Sequence, residues 1–281
     1  MSSADGAALG DNRLGWYLYG VVAADEAGLT IDAEGAAVDP AHGVELVAEG
    51  PLAGVASRVS LDEFDDATLP ERLGDAAWLE QKIRAHEQVL ERVLRDVSVV
   101  PCRFCTIYRS DGELRRFLSA HREALRAALD RVHGRVELGV KAFVDRERFV
   151  AGQAARNERI RELQERAASM AEGRAYLERR RLEQLVTSEV EHLRSSAGRD
   201  IHARLLERAG DGLPLALQAA EVSGREEEMI FNGAYLVRAD ESEFEAALGS
   251  LAADYRDAGV DFELTGPWPP YNFVPAELGA G

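Results

Sequence analysis

Cys102-Arg-Phe-Cys105 is the one place in this chain where residue type and spacing suggest redox or metal chemistry. A structural zinc site takes four ligands, usually from two such pairs or from a cysteine pair with a histidine pair. The chain holds only two cysteines, so no second pair exists. A thioredoxin-type pair sits where a strand enters a helix, whose N-terminus stabilises the thiolate. This pair lies between Pro101 and a short predicted strand, Thr106-Ile107-Tyr108. The favoured expectation is two small cysteines buried in a strand. His86 and His121 both fall on apolar stripes of predicted helices, where a histidine is more often a packed, hydrogen-bonded core residue than a ligand or base. The sequence has no His-Glu-x-x-His, Gly-x-Ser-x-Gly, Walker-type phosphate loop or Gly-x-Gly-x-x-Gly. Carboxylates are abundant, but none can be paired across a cleft from sequence, so a glycosidase has no support. No catalytic residue, metal or cofactor is expected.

Two further segments stand out. Arg174, Arg179, Arg180 and Arg181 interleave with Glu172, Glu178 and Glu183 on a predicted helix. They form either a solvated face laced with ion pairs, each worth roughly 0.3–0.5 kcal/mol, or a docking face for a partner helix. Near the C-terminus, Trp268 and Tyr271 stand among Pro267, Pro269 and Pro270. This apolar segment either covers part of the chain's own sheet or domain junction, or recognises another protein.

Composition sets the class. At 281 residues, and about 150 residues per domain, two domains are expected. Apolar content of 46% with 30% charge fits a globular protein and argues against global disorder. No stretch nears the ~18 uninterrupted apolar residues of a membrane span. Residues 1–13 read as a disordered tail. Its start, small and polar, matches neither a secretory nor a transit signal, so the cytoplasm is expected. A net charge of −17 repels phosphates, so neither nucleic acid nor membrane is expected as a partner. Lys82 and Lys141 are the only lysines; a GC-rich genome and a high-salt cytoplasm explain that equally well.

The elements that must position these residues follow from periodicity. Trp16–Val22 predicts a first strand, followed by a mobile Gly/Ala/Asp-rich loop over 24–41. A hairpin is predicted from Val44–Ala48 and Leu52–Val59. Residues 75–97 predict a helix with Leu79, Ile83, His86, Leu90, Val93 and Val97 on one stripe. A second helix opens at Ser110 with a Ser110/Glu113 capping box and carries Leu114, Phe117, Leu118, His121, Leu125, Leu129 and Val132 inward. Gly134 stops it and marks the boundary between a 14–133 α+β domain and a 134–265 domain. In the latter, a strand from Val136 leads to a long helical region over 157–195, weak at Gly173, and a short helix over 201–208. Strands over 213–222 and 229–237, a helix over 242–255 and a strand over 260–264 complete a β-α-β-β-α-β, ferredoxin-like order. Residues 266–281 are expected to form a Pro/aromatic C-terminal tail.

Pro101-Cys-Arg-Phe-Cys-Thr-Ile-Tyr108 resembles the Pro-x-Arg-Phe-Gly-Thr-x-Phe/Tyr segment of the gas vesicle protein GvpL/GvpF family. Trp16–Val22, Ala85-His86-Glu87, Glu137–Lys141, Gly173–Leu177, Ala234–Val237 and Leu264–Val274 are similar to other family segments, in the same order, over about residues 14–275. The family's usual glycine is Cys105 here, which puts in doubt any role that needs glycine's φ freedom at that position. The resemblance implies two α+β domains, the second ferredoxin-like, with no catalytic residues to carry over. It also implies a minor structural or accessory protein that aids shell assembly by contacting the main shell protein and other vesicle proteins. Arg103, Phe104, Trp268 and Tyr271, of types enriched at binding hot spots, are the candidate contact residues; Arg103 could instead pair with Glu87. Competing expectations are an enzyme that uses the ferredoxin-like half as a pocket with His86 as general base, and a small-ligand-binding regulatory protein.

Overall fold

The structure is a computed structural model and describes residues 13–25, 36–65, 67–154, 157–219, 224–240 and 242–278. It is an α+β protein with two antiparallel sheets, and the chain divides into two compact units. One takes the chain through Gly134 together with the segment from Pro269 onward; the other is Arg135–Trp268.

Among the described residues of the first unit, β1 (Leu14–Ala23), β2 (Val44–Glu49) and β3 (Leu52–Ser60) form the sheet with two short edge strands, β4 (Val100–Pro101) and β5 (Ile107–Tyr108). The order is β2-β3-β1, with β4 and β5 both pairing the free side of β1. The apolar run in β1 is continuous because both of its faces are covered. Trp16, Leu18 and Val21 face one core, shared with Leu114, Phe117, Leu118, Leu125 and Leu129. Tyr17, Tyr19 and Val22 face the other, shared with Trp78, Val89, Leu90 and Val93. A register shift between Leu18 and Gly20 moves the alternation by one residue, so that Val21 continues the Trp16–Leu18 face and Val22 the Tyr17–Tyr19 face.

Short α1 (Leu61–Phe64) and α2 (Leu69–Leu73) lead to α3 (Ala76–Asp96), capped by Asp75, whose carboxylate accepts from the Ala77 and Trp78 amides. Its inward face is Trp78, Lys82, His86, Val89, Leu90 and Val93. Ile83, expected inside, is 40% exposed. The stripe is rotated because Lys82 takes an inward place that sequence patterning assigned to an apolar residue. The second helix is two, α4 (Asp111–Ala120) and α5 (Arg122–Val132), broken at His121. Ser110 caps α4 by accepting from the Glu113 amide, but Glu113 reaches the Arg109 amide rather than that of Ser110.

The predicted loop over 24–41 falls largely outside the described residues. Its end is not loose: Ala36, Ala37 and Val38 are buried. Residues 1–12 of the expected N-terminal tail also lie outside the described residues. The expected C-terminal tail is corrected. Gly266–Trp268 extend the last strand, and the segment beyond packs into the first unit, burying Phe273 and Leu278.

In the second unit, β6 (Arg135–Val144) is followed by α6 (Arg146–Ala154), α7 (Glu158–Ser169) and α8 (Glu172–Leu206). Then come β7 (Asp211–Pro214), β8 (Glu228–Arg238), α9 (Ser242–Tyr255) and β9 (Val260–Trp268). Sheet order is β7-β8-β6-β9, every pair antiparallel. The helical region breaks at Met170–Ala171 rather than at Gly173, and the short helix expected over 201–208 is the end of α8. The strand expected over 213–222 is only β7. Past it, Leu215 still donates to the Asn232 carbonyl at 2.8 Å, and residues 216–219 are irregular. Ala197, Ile201 and Leu205 of α8 and Phe244 and Leu251 of α9 are buried on the sheet side.

Candidate functional site

Of the sequence-predicted contact residues, Arg103, Phe104 and Tyr271 belong to the first unit and Trp268 to the second. Phe104 and Tyr271 meet around His86, Arg103 next to Phe104 in the chain is exposed, and Trp268 ends β9 of the other unit.

The segment between β4 and β5 explains the first group. The Cys102 amide donates to the Tyr19 carbonyl at 2.8 Å and the Leu18 amide to the Thr106 carbonyl at 2.9 Å, so the ladder to β1 is kept on either side of a protruding turn. That turn is Arg103–Thr106, closed by the Thr106 amide on the Arg103 carbonyl at 3.2 Å. Its third residue, Cys105, has φ +65°, in the left-handed region that glycine tolerates best. The expectation of two cysteines in a strand is corrected: Cys105 sits in a turn. The two thiols also belong to different cores, Cys102 with Leu114 and Phe117, Cys105 with Tyr17 and Val99. Burial pushes both up to about 12, so neither is a thiolate near neutral pH. Among the described residues no group of three or more His, Cys, Asp or Glu is placed to hold a metal ion.

Beneath the turn lies a polar relay inside an otherwise apolar core. The Cys105 amide donates to the Tyr17 hydroxyl at 3.0 Å, and that hydroxyl lies 2.9 Å from His86 Nδ1. His86 Nε2 lies 3.0 Å from the Tyr271 hydroxyl, which donates to Glu87 Oε1 at 3.0 Å. One tautomer satisfies every atom. Tyr17 donates to an unprotonated Nδ1, and Nε2–H donates to Tyr271. The other would leave the buried Tyr17 proton without an acceptor, since the backbone N–H already points at its oxygen. Burial lowers His86 to about 4, which keeps it neutral, and raises Tyr17 well above its ordinary value. Burial also raises Glu87, against the lowering effect of the Tyr271 hydrogen bond.

Aromatic rings enclose the relay. Tyr19 stacks on His86 at 5.6 Å between centroids, and Phe104 meets His86 edge-on at 6.0 Å. The Tyr19 hydroxyl accepts from the Val38 amide at 2.9 Å and pairs with Ser57 at 2.9 Å. Lys82 donates to the Val38 carbonyl at 2.7 Å and pairs with Glu63 at 3.0 Å. Arg103 is exposed, and Glu87 takes the Tyr271 hydroxyl instead of a guanidinium. Trp268 is 40% exposed, with its indole N–H on Thr265 at 3.3 Å. His121 is held by its own helix, Nδ1 to the Phe117 carbonyl at 3.0 Å.

Chemically this is a fastening rather than a reactive centre. Both ring nitrogens of His86 are occupied, the ring is 1% exposed, and it belongs to the first unit, not to the half that a pocket enzyme was expected to use. Sequence reasoning missed Tyr17, Glu87, Lys82 and Glu63. The available signal was the repeated tyrosine at Tyr17 and Tyr19, which puts two polar tips on one strand face.

A family model described as gas vesicle synthesis protein GvpL/GvpF matches residues 15–275. The chain belongs to the GvpL/GvpF family. This gas vesicle family is non-enzymatic. Gas vesicle protein L of Streptomyces sp. strain CB03234 is 34% identical over 248 residues, covering 86% of this chain and 88% of the relative. Gas vesicle protein F of Haloferax mediterranei is 28% identical over 268 residues, covering 94% and 95%. The crystal structure of GvpF from Anabaena sp. PCC7120 shares the fold, with a TM-score of 0.63 at 18% identity over 93% of this chain and 96% of that one. GvpF from Microcystis aeruginosa gives 0.58 at 16% identity, over 93% and 99%. Among the described residues, no helix of this family member is long and apolar enough to cross a membrane.

Proposed function

We propose that this GvpL/GvpF protein is an accessory or minor structural component that assists gas vesicle shell assembly in the cytoplasm, binding the main shell protein and other vesicle proteins. Family membership across residues 15–275, which takes in both units, carries this conclusion. The physical means is surface complementarity. Exposed Arg103 and Trp268 are of the types that anchor interfaces, and Phe104 and Tyr271 hold the turn and the C-terminal segment that flank them. The second unit is the platform. We read its β7-β8-β6-β9 order, with helices between β6 and β7 and between β8 and β9, as the ferredoxin-like arrangement.

Co-purification tests the proposal. The tagged chain, recovered from cells that make vesicles, is expected to bring down the main shell protein in an amount that falls in a Trp268→Ala or Arg103→Ala variant. Recovery of the chain without any vesicle protein would overturn it.

A further inference from the structure

The helical pair α7–α8 carries an apolar surface that is exposed among the described residues. At 35 residues, α8 is about 52 Å long. Its second half lies on the sheet, where a Cβ built at Gly198 would lie 3.8 Å from the Phe231 ring and 4.0 Å from the Ile230 carbonyl. Its first half packs with α7, and Ala175, Val186 and Val190 are buried there. The opposite face holds Gly173, Tyr176, Leu177, Arg180 and Gln184, all exposed. Tyr176 is 58% exposed and Leu177 55%, the two highest values among the exposed large hydrophobic residues of the described chain. A Cβ built at Gly173 would meet nothing within 4 Å.

The spacing of this face is that of a helix seam. Gly173, Leu177, Arg180 and Gln184 follow steps of four, three and four, the period that keeps one edge of a helix toward a second helix. Basic residues predominate on this face, although Glu172 is exposed beside Gly173. Arg161, Arg166, Arg181, Arg194 and Arg204 on the same helical pair are each matched by a carboxylate. Arg174, Arg179 and Arg180 form no ion pair among the described residues, although the whole chain carries −17. Glu183 borders the face, and Glu178 is turned inward and held by Arg181 at 2.6 Å. At physiological salt the screening length is about 8 Å, so a partner meeting this face feels the three guanidinium groups rather than the distant acidic surface.

We propose that the outer face of α8 over residues 173–184 docks an acidic amphipathic helix of another protein. The partner's apolar stripe packs on Tyr176 and Leu177, and its carboxylates meet Arg174, Arg179 and Arg180. This rests on the assembly function above and names the chemistry of one partner and the surface that receives it.

Two fluorescent helical peptides test it with the full chain by anisotropy. They share the same apolar heptad positions, and one carries Glu and the other Lys at the flanking positions. Net charge alone favours the Lys peptide. The proposal requires the Glu peptide to bind at least tenfold more tightly, Leu177→Ala to weaken it at least fivefold, and the triple change Arg174→Glu, Arg179→Glu, Arg180→Glu to reverse the preference. Equal binding of the two peptides, or indifference to these substitutions in variants with unchanged thermal midpoints, would overturn it. Sedimentation of the chain alone is expected to show no self-association through this face; a dimer abolished by Leu177→Glu would make a second copy the occupant and overturn it too. A co-purification with Leu177→Glu separates the two levels. Wild-type and variant chains capturing shell protein equally would sink this surface and leave the assembly function standing, whereas capture by neither would sink the assembly function.

Discussion

The Tyr271 hydroxyl lies 3.0 Å from Nε2 of His86, a residue 185 positions earlier in the chain. The same hydroxyl donates to Glu87 at 3.0 Å, so one side chain of the C-terminal segment engages two consecutive residues of α3. Phe273 and Leu278 then enter the first unit at 2% exposure each. The segment from Pro269 is therefore a structural strap of that unit, with its polar contacts at Tyr271 and its apolar contacts beyond.

Tyr271→Phe removes both hydrogen bonds and keeps the ring. It leaves His86 Nε2–H without an acceptor and should cost about 1–3 kcal/mol. Urea unfolding followed by tryptophan fluorescence measures it, and hydrogen exchange over residues 269–278 should accelerate in the same variant.

Truncating Phe273 tests the apolar half of the strap. Phe273→Ala creates a cavity in a closed core and should destabilise the first unit by about 3–5 kcal/mol. A loss under 1 kcal/mol in the same unfolding experiment would mean that the segment merely lies on the surface.

His86 makes stability depend on pH. Its pKa falls from 6.5 to about 4 on folding, so the unfolded chain takes up the proton first. The stabilisation is complete above pH 6.5 and is lost as pH falls toward 4. Between pH 7 and pH 5 that amounts to about 2 kcal/mol. Glu87 runs the other way, since its raised pKa makes the folded chain bind the proton first as acid is added. Comparing the stability of wild type and His86→Gln at pH 7 and pH 5 isolates the histidine, and the variant should show the smaller loss.

Cys105 occupies a conformation that suits glycine. At φ +65° a side chain costs about 1–2 kcal/mol, partly offset by glycine's greater freedom in the unfolded state. Cys105→Gly should raise stability by about 0.5–1 kcal/mol, while Cys105→Val, branched at Cβ, should lower it. The order of denaturation midpoints, Gly above Cys above Val, checks this.

With both thiols held at about 12, alkylation at pH 8 should be on the order of a thousandfold slower in the native chain than in the denatured one. Mass spectrometry after timed iodoacetamide treatment reads this directly. Rapid native labelling of Cys105 would contradict the turn geometry described here.

Much of the fold was legible because local signals and burial agreed. Ser110 and Asp75 mark helix starts, Gly134 a helix stop at φ +63°, and the unbroken apolar run of β1 a strand covered on both faces. Ser242–Tyr255 read as a helix for the same reason. What failed depended on distant partners. Lys82 was left off the inward stripe of its helix because its acceptors, Val38 and Glu63, lie 44 and 19 positions away. The C-terminal segment read as a tail that either covers the chain's own surface or recognises another protein, because three prolines break local structure and nothing in its own residues reveals that His86 receives Tyr271. The turn at Cys105 was obscured by the loss of the glycine that would have announced it. Of the four contact residues chosen from type alone, Arg103 and Trp268 proved exposed, while Phe104 and Tyr271 are partly spent on the chain's own core.

Deleting the gene in the organism that carries it, with electron microscopy of the cells, bears most directly on the assembly function. The account predicts that intact vesicles disappear, return on expression of the wild-type chain, and return incompletely with Trp268→Ala. Vesicles of normal number and shape in the deletion strain would contradict it.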